Sequence, residues 1–303
     1  MDQVRTRRRP VAEATAELIA VIVAVTGGQP RVLTIDDGAA LPSGPFELTH
    51  RSLQAGMRSW VEQQTHHPLG YVEQLYTFAD RDRTRTGQRM VAISYLGLTR
   101  EARAGEPGVG WQGWYRYFPW EDHRGGAPAI IEVINARLRA WAEAADDVAA
   151  RRERLRRVAA TFGPTWNEEL ILQRYELLWE AGLVPEAPEG REPLEGSAMT
   201  HDHRRILATG IARLRAKIKY RPVVFELMPP RFTLLQLQQA VEALAGRLLH
   251  KQNFRRVIEQ QDLVEETGEI TTETRGRPAK LFRFRRDVVA ERAAAGSKLP
   301  LAR

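Results

Sequence analysis

The stretch from Phe232 to Arg256, FTLLQLQQAVEALAGRLLHKQNFRR, decides the fold of the C-terminal third of the chain. Apolar residues recur at helical spacing over Leu234–Ala245, and the hydroxyl of Thr233 is suited to cap the first turn of that helix. Gly246 is a typical helix end, and a second helix is predicted over Lys251–Gln261. Two helices joined by a short turn favour a helix-turn-helix.

The flanking segments predict the remaining parts of a winged helix. A helix over His203–Lys219 and a short strand over Pro222–Met228 come before the helix-turn-helix. After it, a polar turn at Thr267-Gly268 separates the apolar pair Leu263-Val264 from a strand over Lys280–Arg285. Helix, turn, helix and basic hairpin, in this order, are typical of a winged helix-turn-helix.

Positive charge is concentrated in the same third of the chain. Residues 1–200 hold 24 Lys and Arg against 27 Asp and Glu, a net charge of −3. Residues 201–303 hold 21 Lys and Arg against 11 Asp and Glu, a net charge of +10. An excess that is confined to one segment indicates a polyanionic partner for that segment. The basic third is therefore predicted to bind a DNA duplex.

The second helix carries the candidate base-reading residues. Phe254, Val257 and Ile258 fall on its inner side, and long polar side chains occupy its outer side. Arg, Lys, Asn and Gln recognise base edges in a major groove, although a solvated helix face has the same composition. The basic wing sequence, with a Gly and a Pro among its cations, favours DNA. The predicted DNA-binding residues are Thr233, Lys251, Gln252, Asn253, Arg255, Arg256, Arg275, Arg277 and Lys280.

The N-terminal two thirds of the chain predict a mixed α/β domain. β-Branched and aromatic runs predict strands over Leu18–Val25, Arg31–Ile35, Tyr71–Thr77 and Met90–Leu98. Apolar periodicity predicts helices over Leu48–Thr65, Ala129–Ala145, Asp147–Thr161 and Trp166–Ala181. The segment Pro185–Ser197 has no periodicity and is predicted to be a linker or a surface loop. The predicted organisation is a domain over 1–184, a linker over 185–200 and a DNA-binding domain over 201–303.

Composition excludes several classes of protein. The chain has no cysteine, which excludes disulfides, thiolate zinc sites and thiol nucleophiles and is compatible with a reducing cytoplasm. The apolar run Leu18–Val25 lacks a cleavage pattern and is too short to cross a bilayer, so we expect a cytoplasmic protein without membrane association. His66-His67 and His201-Asp202-His203 lack further ligands at metal-site spacing, which favours polar turns.

The region 43–66 resembles the Nudix family. In the Nudix box a glycine and a glutamate precede a helix with the sequence Arg-Glu-U-x-Glu-Glu, where U is an aliphatic residue. Gly44 matches the glycine, Arg58 the arginine and Glu62 a glutamate, and Trp60 fills the aliphatic position. The sequences over 71–80 and 90–98 are similar to those that follow the box in Nudix-related transcriptional regulators. The resemblance implies a degenerate Nudix-like α/β/α sandwich, followed by the C-terminal winged helix-turn-helix domain.

The box is degenerate at its carboxylates. His50, Ser59 and Gln63 stand where the family has glutamates. Nudix hydrolysis needs clustered carboxylates to hold a divalent metal ion against a pyrophosphate, and Glu62 alone does not provide that cluster. The resemblance therefore implies a domain that binds a ligand and has no catalytic residue and no metal site. The alternative is an active Nudix pyrophosphohydrolase with a basic nucleic-acid-binding tail.

The C-terminal sequence resembles the winged helix of the NrtR-type regulators. The similar segments are Phe232–Leu237, Gly246-Arg247, Asn253–Arg256 and Gly276–Ala279. The helical insert 128–183 and the degenerate box are more similar to the alphaproteobacterial NAD-biosynthesis repressors of the NadQ type. The resemblance implies a homodimer that represses NAD biosynthesis genes from a palindromic operator, with an adenine nucleotide, ATP or ADP-ribose, as effector. A regulator of the same fold that controls unrelated genes is a further interpretation.

Two clusters are candidates for the effector site. Arginines between two predicted strands could neutralise a polyphosphate, although a solvated hairpin loop is an equal interpretation. The aromatic residues over 111–120 are mostly expected in the core, with one ring able to stack on an adenine. The predicted effector-binding residues are Arg58, Glu62, Arg81, Arg83, Arg89, Trp111 and Trp114. The sequence leaves open which nucleotide binds and whether it weakens or strengthens DNA binding.

Overall fold

The computed structural model describes residues 15–79, 90–101, 107–188, 192–271, 278–285 and 287. Its strands are β1 (Thr15–Thr26), β2 (Gln29–Thr34), β3 (Ser43–Pro45), β4 (Tyr71–Phe78), β5 (Met90–Leu98), β6 (Gly110–Gly113), β7 (Val264–Thr271) and β8 (Ala279–Phe284). Its helices are α1 (Leu53–Thr65), α2 (Ile130–Glu143), α3 (Val148–Phe162), α4 (Ile171–Glu180), α5 (His203–Ile218), α6 (Leu234–Ala245) and α7 (Lys251–Gln260). Within this part of the chain, no helix is both long and apolar enough to cross a bilayer.

Strand β1 lies at the centre of a mixed sheet. The described strands are ordered β4-β5-β1-β2-β6, and β3 pairs with the first half of β1. β5 runs parallel to β1, whereas the β1–β2, β2–β6 and β4–β5 pairs are antiparallel. The tight turn between β1 and β2 has positive φ at Gly27 and Gly28, 58° and 70°, a conformation that favours glycine. The four strands predicted before residue 100 are thus confirmed, with ends that shift by up to three residues.

Both faces of β1 are buried because its residues alternate between two helical layers. One layer is α1, which packs against Leu18, Ala20 and Ile22. The other layer includes α5 and α6, and it packs against Ile19, Val21 and Val23. Gly210 of α5 lies so close to β1 that an added Cβ would stand 2.8 Å from a methyl group of Val21. The N-terminal architecture is therefore the predicted α/β/α sandwich.

The predicted helices of the first 184 residues are confirmed with changed ends. α1 begins at Leu53 rather than Leu48, because the hydroxyl of Ser52 accepts a hydrogen bond from the N–H of Ala55 at 3.1 Å and caps the helix. α2 and α3 lie within two residues of their predicted bounds. The helix predicted over Trp166–Ala181 is divided, since a 3-10 turn at Glu168–Leu170 precedes α4.

Two predictions in the C-terminal third are wrong. Pro222–Met228 is not a strand, because Val223–Leu227 forms a 3-10 helix with four of its five residues buried. A short apolar run has no periodicity that distinguishes a buried strand from a buried helical turn. Thr267-Gly268 does not end a strand, because β7 continues to Thr271. Gly268, with φ of 79°, lies at a register shift in the β7–β8 pair and forms a β-bulge instead.

The segment that was predicted as a linker is irregular but packed. Leu194 and Met199 are buried, and the N–H of Leu194 donates to the carbonyl of Leu183 at 2.9 Å. Glu186 accepts a hydrogen bond from the buried guanidinium of Arg204 in α5 at 3.1 Å. The division at residue 200 stays a prediction. The described residues on its two sides contribute to one continuous apolar core.

A buried ion triad joins the sheet, the helical insert and α5. Glu121 follows β6, Arg174 lies in α4 and Arg215 lies in α5, and the three side chains are 0% exposed. Glu121 Oε1 accepts from Arg174 Nε at 2.6 Å. Glu121 Oε2 accepts from Arg174 Nη2 at 2.9 Å and from Arg215 Nη1 at 2.6 Å. One carboxylate therefore compensates two guanidinium groups through charge-assisted hydrogen bonds.

The same network holds the C-terminal end of α6. Arg215 Nε donates to the carbonyl of Leu244 at 2.9 Å, and the N–H of His123 donates to the carbonyl of Gly246 at 2.7 Å. Carbonyls in the last turn of a helix have no intrahelical donors, so they need partners of this kind. Gly246 lies directly against Glu121, where an added Cβ would stand 2.4 Å from the carbonyl oxygen of Glu121. The sheet domain thus fixes the position of α6.

We expect Glu121→Gln to destabilise the protein strongly. The substitution keeps the shape of the side chain but leaves two buried guanidinium groups without a counter-charge, which costs about 3–5 kcal/mol of the free energy of unfolding. Urea-induced unfolding followed by circular dichroism measures this change. The matched control is Glu153→Gln, which breaks an exposed pair with Arg156 and should leave the free energy of unfolding almost unchanged. Equal effects of the two substitutions would contradict the structural role of the triad.

Candidate nucleic-acid interface

Helix α6 begins with a capping box. The hydroxyl of Thr233 accepts from the N–H of Gln236 at 3.1 Å, and the side-chain oxygen of Gln236 accepts from the N–H of Thr233 at 2.7 Å. The N-cap predicted at Thr233 is confirmed, as is the helix end at Gly246, which has φ of 73°. The cap occupies the hydroxyl, and Thr233 is only 3% exposed. Its predicted contact with DNA is therefore wrong for the side chain, whose role is to start α6.

The turn between α6 and α7 is fixed by a polar network. Glu242 Oε1 in α6 accepts from the N–H of Leu249 at 2.9 Å and from Gln238 Nε2 at 2.8 Å. Gln238 Nε2 also donates to the carbonyl of Leu249 at 3.1 Å. The N–H and the carbonyl of Leu249 are thus both held by buried side chains of α6. The direction in which α7 leaves the turn is set by these hydrogen bonds.

Helix α7 presents the predicted polar residues to solvent. Its inner residues Phe254, Val257 and Ile258 are half-buried, and two of them, Phe254 and Ile258, pack against the main core. The outer residues are exposed: Lys251, Gln252, Asn253, Arg255 and Arg256. The division of faces that the sequence predicts is therefore present in the structure. Whether these residues contact DNA stays a prediction.

The cations of α7 differ in their partners. Arg256 Nη2 donates to Asn253 Oδ1 at 2.9 Å, which orients two neighbouring side chains on the outer face. Lys251 and Arg255 form no hydrogen bond or ion pair with any residue that the structure describes. Unpaired cations on an exposed helix keep their full charge for a polyanion. The outer face of α7 thus carries side chains that can bind phosphates and base edges.

The wing is anchored to the rest of the domain by aromatic residues. Strands β7 and β8 form an antiparallel pair, and Phe232 adds an isolated bridge to Phe282 of β8. The ring of Phe284 stacks on that of Phe225, with 4.2 Å between the centroids. The 3-10 helix Val223–Leu227, which was predicted as a strand, thus packs against the wing through Phe225.

Charges on the described part of the wing are mutually paired. Lys280 Nζ donates to both carboxylate oxygens of Glu266, at 2.9 and 3.0 Å. Arg283 pairs with Glu265 at 2.5 Å. Lys280 is exposed at the predicted position, but Glu266 compensates its charge, a partner that the sequence reasoning did not find. Arg275 and Arg277, the other two predicted wing residues, lie outside the described residues.

The Nudix-like helix carries the remaining matches to the box, and its arginine is occupied. Arg58 donates from Nη1 to the carbonyl of Leu69 at 2.5 Å and from Nη2 to the carbonyl of Gly70 at 3.0 Å. Arg58 therefore fastens α1 to the loop that leads into β4. Glu62 is on the exposed side of the same helix. Arg81, Arg83 and Arg89, the predicted phosphate partners, lie outside the described residues.

The positions that replace box glutamates have structural partners of their own. Gln63 Nε2 donates to the hydroxyl of Ser59 at 3.3 Å. His50 Nδ1 accepts from the N–H of Glu47 at 3.1 Å, and its ring lies over Gly56, where an added Cβ would come within 2.6 Å of Nδ1. Among the described residues, no group of three His, Asp or Glu side chains is placed to hold a metal ion.

The two tryptophans predicted in the effector site lie on opposite sides of the sheet. Trp111 in β6 is half-buried on the α1 side, with the ring of His67 edge-on at 5.5 Å. Trp114 is 1% exposed in the core on the α5 side. The prediction that Trp114 shares a ligand site with Trp111 is therefore wrong, because Trp114 lies in the 3-10 turn Trp114–Arg116 that follows β6, with its ring in the core on the α5 side. Trp111 stays a candidate for ring stacking.

The histidine pairs lie at the ends of helices, His66-His67 at the end of α1 and His201–His203 at the start of α5. His66 ends α1 with φ of 50°, and His67 is buried with Nε2 at 3.2 Å from the hydroxyl of Thr99. Burial lowers the pKa of His67, more than its hydrogen bond with the backbone of Arg100 raises it. His203 is also buried, and its Nδ1 accepts from the N–H of Leu41 at 2.9 Å. His67 and His203 are thus tied to neighbouring loops.

The sequence reasoning missed the residues that hold the interface in place. Glu121 precedes Arg174 by 53 positions and Arg215 by 94 positions along the chain. No local spacing or periodicity connects such residues. The one available signal was their type, because two arginines fall within apolar helical faces, where an unpaired charge is costly.

In the comparison with known proteins, the C-terminal region is the part of the chain that matches a family model. Residues 224–284 match the family model described as the NrtR DNA-binding winged helix domain. The ADPR responsive transcriptional repressor NtrR of Acinetobacter baylyi is 40% identical over 86 residues, 28% of this chain. Those residues cover 34% of the relative, so the chain spans about a third of the length of the curated protein that it matches.

Two solved structures are similar over nearly the whole chain. NrtR of Shewanella oneidensis complexed with a 27mer DNA has a TM-score of 0.57 at 21% identity, over 91% of this chain and 95% of that chain. A MutT/nudix family protein from Enterococcus faecalis has a TM-score of 0.57 at 16% identity, over 93% of this chain and 90% of that chain. Identities of this size establish the fold. Residues 224–284 are therefore similar to the NrtR winged helix, and the chain has the fold of a Nudix-like sandwich joined to a winged-helix domain.

Proposed function

We propose that this protein is a DNA-binding transcriptional repressor whose Nudix-like domain senses a ligand. The observation that carries the proposal is the outer face of α7, where Lys251 and Arg255 are exposed and unpaired among the described residues. The match of residues 224–284 to a DNA-binding winged helix supports the same conclusion. Helix α7 is the recognition helix in this proposal, with its N-terminal turn directed at base edges.

We propose that the genes controlled by this repressor are those of NAD biosynthesis. The resemblance of the helical insert and the degenerate box to NadQ-type repressors supports it. The division of labour is that residues 1–184 sense the effector, 185–200 connect, and 201–303 bind DNA. Helix α5 belongs to both parts, because it covers the sheet and carries Arg215 to α6. A homodimer on a palindromic operator is the assembly that suits a winged helix with one recognition helix per chain.

We further propose that the Nudix-like domain has no hydrolase activity. Gln63 and Ser59 are hydrogen-bonded to each other where the box has glutamates, and His50 is packed over Gly56. Nudix chemistry needs several carboxylates around a metal ion, and α1 offers Glu62 at the positions of the box. The alternative, an active pyrophosphohydrolase with a basic tail, finds no comparable support.

The effector of the proposed repressor is an adenine nucleotide. The Acinetobacter baylyi relative is named for its response to ADPR, which favours ADP-ribose over ATP. Trp111 is the aromatic candidate for stacking on the adenine. Arg81, Arg83 and Arg89, which follow β4 in the sequence, stay the proposed phosphate partners.

The DNA-binding role of α7 is tested with duplexes that the purified protein selects from a random pool. We expect Arg255→Ala or Asn253→Ala to weaken binding to the selected duplex by about 1–3 kcal/mol and to relax sequence preference. Lys280→Ala, by contrast, should weaken all duplexes similarly and change the salt slope by less than about one unit, because Glu266 already compensates Lys280. Fluorescence anisotropy at several salt concentrations measures both quantities.

The control for this experiment is Arg156→Ala, which removes an exposed arginine of α3 that pairs with Glu153. It should leave affinity and sequence preference unchanged. If the helix and wing variants lose affinity equally on selected and random duplexes, α7 does not read sequence.

The absence of hydrolysis is tested by incubating the full chain with ADP-ribose and Mg²⁺ or Mn²⁺. We expect no release of AMP above the rate without protein, because the box lacks the carboxylates that a metal ion needs. Glu62→Gln is the matched variant and should behave like the wild type. Steady turnover that disappears in Glu62→Gln would show an active hydrolase.

Effector binding is tested by calorimetric titration of ATP and of ADP-ribose, with and without the selected duplex. A tenfold change in DNA affinity corresponds to about 1.4 kcal/mol of coupling free energy. Because coupling is reciprocal, the duplex must change nucleotide affinity by the same factor. Identical nucleotide affinities in both conditions would mean that neither nucleotide is the effector.

A further inference from the structure

A cavity of about 600 Å³ opens between α2 and α3, in the helical insert and away from the α1 side of the sheet. Its walls are largely apolar, with Ile131 from α2, Val158 and Phe162 from α3, and Trp166 from the loop that follows α3. Cavities of about 300–1,000 Å³ are the size that binds small organic ligands. None of the residues proposed above for DNA or for the nucleotide lines this cavity.

Three polar side chains line the same cavity: His123, Asn135 and Arg139. Arg139 is exposed and forms no hydrogen bond or ion pair with the described residues. Burial lowers the pKa of His123, more than the Trp120 carbonyl raises it, so the imidazole is neutral near pH 7. Its Nε2 lies 3.1 Å from that carbonyl and donates to it. The lining therefore offers one positive charge, one amide and one neutral imidazole.

This combination matches a ligand with an aromatic body and one negative charge. The rings of Trp166, Phe162 and His123 provide surfaces for a planar apolar group. A single cation suits one carboxylate or sulfonate, and it does not neutralise a polyphosphate. The cavity thus has less positive charge than a site for a nucleoside diphosphate requires.

The cavity is connected to the helix-turn-helix through two short paths. The N–H of His123 donates to the carbonyl of Gly246, which ends α6. The ring of His123 lies 3.9 Å from that of Trp166, and the guanidinium of Arg174 lies 3.7 Å from the same tryptophan ring. Arg174 bonds Glu121 in the buried triad. A ligand that displaces either ring therefore acts on groups that position α6.

We propose that the cavity between α2 and α3 is a second ligand site, which binds a planar aromatic monoanion and changes the affinity of the winged helix for DNA. The negative group lies beside Arg139 and Asn135, and the aromatic group lies against Trp166. Ligand binding does not depend on the proposed function, whereas the effect on DNA rests on it.

The test uses the full chain and 8-anilinonaphthalene-1-sulfonate, an aromatic monoanion that fluoresces in apolar surroundings. We expect saturable binding of one probe molecule per chain. Ala159→Trp fills the cavity from an exposed position of α3 and should abolish this binding. Arg139→Gln should weaken it about tenfold through the lost charge-assisted hydrogen bond. The matched control Arg152→Gln removes an exposed α3 arginine outside the cavity and should change nothing.

Equal probe binding by the wild type, Ala159→Trp and Arg139→Gln would overturn the site. If Ala159→Trp does not fold by circular dichroism, the comparison of Arg139→Gln with Arg152→Gln decides. In the second arm, saturating probe should change the affinity for the selected duplex at least threefold in the wild type and by a smaller factor in Arg139→Gln at the same probe concentration. An unchanged wild-type affinity would overturn the coupling. If the wild type without probe binds no duplex although it binds the probe, the DNA-binding function is contradicted and the ligand site is not.

Discussion

One buried carboxylate, Glu121, compensates two buried guanidinium groups, and the position of the winged helix depends on this pairing. The triad carries a net positive charge in the interior, so its remaining donors must find acceptors. They find backbone carbonyls: Arg215 bonds Leu244 at the end of α6 and also Glu168, and Arg174 bonds Asn167. The need to satisfy these donors ties the sheet, the helical insert and α6 to one another. Apolar residues that replace a buried triad of this kind often preserve stability. What the triad adds to packing is therefore the fixed position of the elements that it joins.

The charge distribution beyond the triad separates anchoring from binding. Cations of the wing strands are paired with carboxylates on the neighbouring strand, as Lys280 is with Glu266. On α7 the arrangement is different, because Lys251 and Arg255 keep their charge uncompensated among the described residues. The turn before α7 is held by Glu242 and Gln238. A rigid turn therefore presents a charged helix, which is the arrangement that sequence-specific reading of a duplex requires.

Local signals made the helix-turn-helix predictable. A capping threonine, a glycine at the helix end and apolar periodicity each act within a few residues, and the structure confirms α6 and α7 within one residue of their predicted ends. Short buried runs were less predictable, as the 3-10 helix at Val223–Leu227 shows. The effector site was hardest to predict, because Trp111 and Trp114 are close in sequence but lie on opposite faces of the sheet. The triad had no local signal, since it depends on contacts between distant segments.

The central claim is that the outer face of α7 reads the duplex, and a crystal structure of the full chain with its selected duplex tests it most directly. We expect α7 to lie in the major groove, with Arg255 and Asn253 within hydrogen-bond distance of base edges and Lys251 near a phosphate. The Glu121–Arg174–Arg215 contacts should be present in that complex. A duplex bound elsewhere on the protein, with α7 facing solvent, would contradict the account.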